Sequence, residues 1–362
     1  MTVTKLSCAG KGLEKITDKE QVPVAAVVVM ACNRADYLEK TVKSILKYQR
    51  SVASKYPLFV SQDGEDPDVK SKALSYNQLT YMQHLDYERV HTERPGELIA
   101  YYKIARHYKW ALDQLFSKHN FDRVIILEDD MEIAADFFDY FEAAATILDN
   151  DKSIMAVSSW NDNGQKQFVQ DPCNLSEIIV TLIHKMRFTV LIFSLDLAGC
   201  CLNLHGMNYL QSGRKHILLV YWKITYWDDW LRLKENHKGR QFIRPEVCRT
   251  YNFGEHVDWK SMNLSYLMED QYVTHFADMV KNARPIHGTD AVLKVSNIAG
   301  DVRILYKDQE DFERIARQFG IFEEWKDGVP RTAYKGVVVF RYQTRKRVFL
   351  VGPESLQQLG IE

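Results

Sequence analysis

Short unbroken apolar runs punctuate the first half of the chain, and stretches with a helical period separate them. Residues 24–30 (VAAVVVM), 57–60, 124–127 (VIIL) and 154–157 are such runs. An apolar run of this kind between polar turns is what a strand buried on both faces looks like. Between the first two, Leu38, Val42, Ile45 and Leu46 fall on one helical face, and Asp36 is placed to cap that helix. Residues 98–116 carry Tyr102, Ala105, Trp110, Leu112 and Phe116 at helical spacing, with Arg106 and His107 between them. Residues 134–148 predict a third helix, whereas 65–94 are mixed and predict no element. Strands alternating with helices predict an α/β fold, with a parallel sheet covered on both faces.

The remainder has other textures. Residues 1–21 are polar, lack an apolar core long enough for a signal peptide, and read as an N-terminal stub. Residues 160–164 (WNDNG) form a polar turn. Residues 173–223 show neither period, and no element is predicted there. Within them, 188–204 is 17 residues with one charge, Asp196, too short and too costly in its middle for a membrane span. From about residue 284, strands at 302–306, 337–341 and 348–351 with a helix at 312–319 predict a small β-α-β-β unit. Gly328-Val329-Pro330 marks a turn within it. It contains no cluster of reactive side chains and reads as a support. The expected division is a stub at 1–21, a catalytic domain at 22–260 and a small C-terminal domain at 285–362.

Chemistry concentrates where the apolar runs stop. The run 124–127 passes directly into Glu128, Asp129 and Asp130. In open α/β sheets, ligands bind beyond the carboxyl ends of parallel strands. Three acids there repel one another unless a cation sits among them. Hard oxygen ligands suit Mg²⁺ or Mn²⁺, which commonly share their shell with substrate phosphates. The bland alternative is that Asp129 or Asp130 caps the next helix. Arg34 and Asp63 also follow apolar runs, so they should gather along the same edge. A carboxylate such as Asp63 can accept the ring N–H of a uracil, and an Arg or His nearby can meet the base's carbonyl oxygens. For His107 the ordinary reading is a surface helix position, and for Arg34 a solvated turn. Further on, Tyr226-Trp227-Asp228-Asp229-Trp230 sets adjacent acids between aromatic rings, a sugar-site composition. Asp228 or Asp229 could serve as general base for a hydroxyl nucleophile, or cap a helix that runs to His237 and stops at Gly239. His256 is a lesser candidate for a metal or phosphate ligand.

Charge narrows the partners. Across 362 residues, Lys plus Arg number 47 and Asp plus Glu 48, so nothing recommends nucleic acid. None of the 6 cysteines is spaced C-x-x-C, which argues against a zinc or redox motif. Asn174-Leu175-Ser176 and Asn263-Leu264-Ser265 fit the N-glycosylation pattern.

Taken in order, the stretches VVVMACNRADYLEKTV, FVSQDG, ERPGELIAYYKIARHYKWALDQ, VIILEDDMEIAADFFDYF, SSWNDNGQ, YWDDWLR and GVPRTAYKGVVVF resemble the N-acetylglucosaminyltransferase I family. The resemblance runs over 22–171, 226–256 and about 257–361. It implies a GT-A type nucleotide-diphospho-sugar transferase fold with a small C-terminal α+β domain. The implied enzyme is a Mn²⁺-dependent, inverting glycosyltransferase of N-glycan processing. It would move N-acetylglucosamine from UDP-GlcNAc, in beta-1,2 linkage, to the alpha-1,3-arm mannose of a high-mannose N-glycan. On the same basis Asp130 would bind the metal and Asp129 the ribose, and Glu128 would lie beside the donor sugar. Arg34, Asp63 and His107 would hold the uridine, and Asp228 would be the base. The family resides on the lumenal side of the Golgi membrane through an N-terminal anchor and stem, where this sequence has the stub. Two further departures concern 173–223, which do not match the family's acceptor-side segment, and the junction after His256, which lacks a Gly/Ser-rich closing loop. They leave a second reading: a catalytically impaired relative that binds UDP-sugar or partner proteins without turnover. A nucleotidyltransferase would need a Gly-rich phosphate loop after the first strand, and Ala31-Cys32-Asn33-Arg34 is not one.

Overall fold

The computed structural model describes residues 23–92, 98–164, 178–182, 190–194, 237–250, 265–294, 300–326, 328–342 and 346–361. The predicted alternation is present. β1 (Ala26–Ala31), α1 (Ala35–Gln49), β2 (Leu58–Asp63), α2 (Pro67–Leu74), β3 (Leu79–His84), α3 (Ile99–Asp113), β4 (Arg123–Glu128), α4 (Phe137–Asn150) and β5 (Ile154–Ser158) follow in sequence. Every residue of β1 is buried, as its unbroken apolar run requires. In α1, Leu38, Thr41, Val42, Ile45 and Gln49 are buried, a stripe at three- and four-residue spacing. Arg34, not Asp36, occupies its N-cap position, and Asp36 lies in the first turn.

Two expectations need correction. Residues 65–94 contain α2 and β3. Asp66 caps α2 by accepting from the amides of Asp68 and Val69, and a proline stands in the first turn. The helix is short and mostly polar, so it has too few turns to display a period. Residues 173–223 contain β6 (Ile178–Leu182) and β7 (Val190–Ser194). Both are short, mostly apolar runs, which periodicity cannot assign to helix or strand.

β8 (Gln241–Pro245) completes an eight-stranded sheet in the order β3-β2-β1-β4-β7-β5-β8-β6. β3, β2, β1 and β4 are mutually parallel, while β7 runs antiparallel between β4 and β5. The chain steps outward from β1 to β3 and then returns to β4 on the other side of β1. Because such crossovers are right-handed, this reversal sends α1 and α2 to one face and α3 to the other. A crevice opens where the direction reverses, beyond the carboxyl ends of β1 and β4.

The C-terminal part holds α5 (Glu269–Asn282), β9 (Arg284–Ile286), α6 (Asp290–Lys294), β10 (Val302–Leu305), α7 (Gln309–Phe319), β11 (Trp325–Lys326), β12 (Val329–Pro330), β13 (Val337–Tyr342), β14 (Lys346–Val351) and α8 (Ser355–Gln358). The second sheet runs β13-β14-β10-β9. Its pleat divides two cores. Val337, Val339, Phe349 and Val351 join the main core with Tyr272 and Phe276 of α5. Val338, Phe340, Val348 and Leu350 face the other way and pack with Phe312 and Ile315 of α7.

Polar groups tie this part to the large sheet. Asn163 Oδ1 accepts from the Phe322 amide at 3.1 Å, and Asn163 Nδ2 donates to Thr332 Oγ1 at 3.3 Å. Arg244 Nη2 donates to the Thr332 carbonyl at 2.8 Å. Asn161 Nδ2 donates to the carbonyls of Pro245 and Glu246 at 3.0 and 2.9 Å. The predicted polar turn 160–164 is therefore a buried clasp. Gly164 lies so close to β8's continuation that a Cβ there would stand 2.3 Å from the Glu246 carbonyl oxygen. Gly164→Ala should destabilise the protein by about 1–3 kcal/mol, since backbone rather than a pliant side chain must yield. Urea unfolding checks this, and an unchanged midpoint would contradict the close packing.

Candidate active site

The acidic cluster sits at the carboxyl end of β4. Met30 of β1 pairs with Glu128 on one side and Ser61 of β2 on the other, so the three strand ends are level. Arg34, just past β1, reaches across to the acids. Its Nη2 donates to Asp129 Oδ1, its Nε lies 3.4 Å from Asp129 Oδ2, and its Nη1 lies 3.3 Å from Asp130 Oδ2. Arg34 is thus engaged with the acids and is not a merely solvated turn residue. The Asp129 side chain is 4% exposed against 32% for Asp130, so Asp130 is the acid that faces outward. Neither acid caps the following helix, because Asp136 holds the N-cap position of α4.

Crowding is visible in the titration of the cluster. Burial raises the Glu128 carboxyl above the usual carboxylate range; the charge of Asp130 raises it further, and a hydrogen bond from Tyr108 opposes both. That bond runs from Tyr108 Oη to Glu128 Oε1 at 3.1 Å. Burial also raises Asp129, while the Arg34 guanidinium pulls it back. Among the described residues, no group of three or more His, Cys, Asp or Glu is arranged to hold a metal ion.

The other predicted ligands lie along the same edge. Asp63 at the end of β2 pairs in register with His84 at the end of β3. His84 Nδ1 lies 2.8 Å from Asp63 Oδ1. The His84 ring stacks on His107 at 5.5 Å between centroids and leans on Trp110 at 5.2 Å. His107 is buried, contrary to a surface helix position, and its Nε2 lies 2.8 Å from Ser61 Oγ. The helical period missed this because α3 turns a mixed face, with Tyr102, Ala105, His107, Tyr108 and Ala111 all inside. Burial, and then the neighbouring His84, lowers the His107 pKa to about 3. Desolvation raises the Cys32 thiol, and the charges of Asp63 and Asp129 raise it further.

Several residues escaped the sequence reading. Thr41 and Ser44 on α1 bond the acidic turn: Thr41 Oγ1 to the Asp129 carbonyl at 2.8 Å, and Ser44 Oγ to the Ile133 amide at 3.0 Å. A threonine inside an apolar stripe is the signal that could have found the first. Arg249 is another. It forms a buried ion pair with Asp136 at 3.0 Å, and its carbonyl accepts from the Ala134 amide at 2.9 Å. Thr250 then bridges to Ile133, so the chain after β8 returns to the acidic turn. Asp228 lies outside the described residues, as do Asp229 and His256. Gly239, the expected helix stop, has a left-handed φ of 79°.

The GNT-I family model matches residues 3–178, 205–257 and 255–362. The departure expected at 173–223 therefore narrows to residues 179–204, and the match begins within the segment read as a stub. The second and third matched segments overlap at 255–257, at the junction around His256. An Arabidopsis thaliana protein, alpha-1,3-mannosyl-glycoprotein 2-beta-N-acetylglucosaminyltransferase, is 64% identical over 373 residues, covering 97% of this chain and 79% of that protein. Among solved structures, S. aureus TarS 1-349 is 13% identical with a TM-score of 0.39, over 72% of this chain and 66% of that one. The mannosyltransferase PcManGT from Pyrobaculum calidifontis is 18% identical with a TM-score of 0.32, over 52% of this chain and 49% of that one. At such scores the sheet itself must carry the fold. Its parallel β3-β2-β1-β4 half, crevice and small C-terminal unit are those of the expected GT-A type α/β class.

Two pH responses follow from this geometry. A carboxyl raised by folding binds more protons in the folded state, so stability falls as pH rises through the interval above its unfolded pKa. Glu128→Gln should therefore melt at a higher temperature than the parent at neutral pH, and the two should converge below about pH 4. A melting gap that persists in acid would contradict the assignment. The His107 ring should stay neutral across the range in which an exposed histidine titrates, about pH 5 to 8. A ring NMR signal from His107 with a midpoint near pH 6.5 would show the burial to be wrong.

Proposed function

Because this chain belongs to the GNT-I family, we propose that it is an inverting glycosyltransferase that moves N-acetylglucosamine from UDP-GlcNAc to the alpha-1,3-arm mannose of a high-mannose N-glycan, in beta-1,2 linkage. The observation that supports this most directly is the meeting of three strand ends, where Arg34 joins Asp129 and Asp130 and Asp63 ends the neighbouring strand β2.

Each role has a physical reason. Asp63 Oδ1 is engaged by His84, which leaves Oδ2 to accept the N–H of a uracil ring. His107 is neutral and bonded to Ser61, so it serves the uridine pocket by fixing His84 and, through it, Asp63. Asp129, pinned by Arg34, is suited to accept from ribose hydroxyls. Glu128, held by Tyr108 through one oxygen, is the acid the family resemblance sets beside the donor sugar.

The residues present fit Mn²⁺ in one way. Asp130 offers a half-open carboxylate at a strand end, and the described residues supply no three-residue cage. Asp130 would hold such an ion while leaving it open to the oxygens of a diphosphate. When bound, it neutralises charge growing on the departing diphosphate as a Lewis acid. The protein's own part is positioning and proton transfer. Asp228 takes the proton of the mannose hydroxyl as that oxygen attacks the anomeric carbon and UDP leaves from the opposite face. A single displacement inverts the centre without a covalent enzyme intermediate. Aligning the two sugars accounts for much of the rate.

Family membership also supports a Golgi lumenal location with membrane association. Among the described residues, no helix is long and apolar enough to cross a membrane.

Calorimetry and a transfer assay test the proposal. UDP binding should depend on Mn²⁺ and lose that dependence in Asp130→Ala. Equal UDP affinity with and without Mn²⁺ would remove Asp130 from the metal site. Asp228→Asn should keep UDP binding and lower kcat by about 100- to 10,000-fold, the usual worth of a general base. Absence of transfer by the wild-type chain would favour a binding protein that no longer turns over.

A further inference from the structure

We propose that Thr41 of α1 is the positioning residue that sets the direction of the Asp130 carboxylate. This rests on the reading of Asp130 as the divalent-cation ligand. Thr41 is 1% exposed and lies within the apolar stripe formed by Leu38, Val42 and Ile45. A hydroxyl in such a place must find partners. It finds two. Thr41 Oγ1 donates to the Asp129 carbonyl at 2.8 Å and accepts from the Met131 amide at 3.0 Å. These belong to the two peptide groups on either side of the Asp130 Cα. One hydroxyl, with one donor and two acceptor sites, therefore fixes both planes that determine where the Asp130 side chain leaves the backbone.

Among the described residues, no other side chain bonds both of these peptide groups. Asp130 itself touches Arg34 at 3.3 Å, an exposed bond to a flexible side chain. Ser44 Oγ holds the Ile133 amide, which steadies the turn further along but does not flank Asp130. The turn follows β4 and is not itself a strand, so the sheet's hydrogen bonds do not constrain it. Around Asp130 itself the turn is held instead by a helix on one face of the sheet, while the returning chain closes on it further along, at Ile133 and Ala134. Partners one step removed from a metal typically change its affinity about 10- to 100-fold when lost.

The test uses the full chain, MnCl2 and UDP. UDP binding is measured by calorimetry over a series of Mn²⁺ concentrations in wild type, Thr41→Val, Thr41→Ser and Asp130→Ala. Thr41→Val keeps the shape but leaves one carbonyl and one amide unmet. It should raise the Mn²⁺ concentration for half-maximal binding about tenfold, with UDP affinity at saturating Mn²⁺ preserved. Thr41→Ser retains the hydroxyl and should restore the wild-type value. An unchanged Mn²⁺ requirement in Thr41→Val overturns the inference, as does a Thr41→Ser protein that is equally impaired. So does a loss of UDP affinity that saturating Mn²⁺ does not recover, since that would mean general damage. If Thr41→Val fails to fold, amide exchange in the wild type decides. The Met131 amide should be protected without metal, and rapid exchange there overturns the inference. Asp130→Ala separates the two readings. If it keeps Mn²⁺-dependent UDP binding, both fall; if it loses it while Thr41→Val does not change, only the role of Thr41 falls.

Discussion

Three carboxylates stand in a row where β4 leaves the sheet, and the surrounding structure is arranged to tolerate them. Two unit charges about 4 Å apart repel by about 4 kcal/mol at the effective dielectric of a protein surface. Burial makes the position worse for Glu128 and Asp129, and both carboxyls are pushed upward accordingly. Arg34 offsets part of this by spanning Asp129 and Asp130. A site so built is unstable towards gaining positive charge. In the proposed function, a cation bound there together with an anionic substrate would relieve that repulsion.

The sheet topology makes the arrangement possible. β1 lies between β2 and β4, so residues after its end can reach either neighbour. Arg34 reaches towards β4, while the charges of Asp63 at the end of β2 and Asp129 just past β4 both raise the Cys32 thiol. The reversal of winding then lets helices from opposite faces grip one turn. Thr41 of α1 holds the backbone around Asp130, and Tyr108 of α3 holds the carboxylate of Glu128. The acids are thereby fixed from both sides.

What could be read from the sequence follows the same physics. β1 and β4 were legible because strands buried on both faces have no polar position to interrupt them. α2 and β3 were not: the helix is short and mostly polar, and β3 is a half-exposed edge strand. β6 and β7 were lost for the opposite reason, as apolar runs too short to show a period. Arg34, Asp63 and the acidic triplet were legible as polar residues at or just past the ends of apolar strands. His107 was misplaced because its burial depends on a pairing with Ser61 and His84 that lie far away in sequence. Asp228 came from composition and resemblance, not from the end of an expected strand.

The distant C-terminal part also bears on the site, through packing rather than chemistry. Its sheet lends one face to the main core, and its Thr332 is bonded by Asn163 and Arg244. Those two residues flank the clasp in which Asn161 holds the carbonyls of Pro245 and Glu246. The strand held there continues to Arg249 and Thr250, which close on Ala134 and Ile133 beside the acidic turn. A buried ion pair between Arg249 and Asp136 locks that closure, and breaking such a pair leaves a charge without its partner. The acidic turn is thus bounded by α1 on one side and by the returning chain on the other. Because the returning chain is anchored in the C-terminal part, the small unit contributes to the geometry of a site to which it lends no side chain among the described residues.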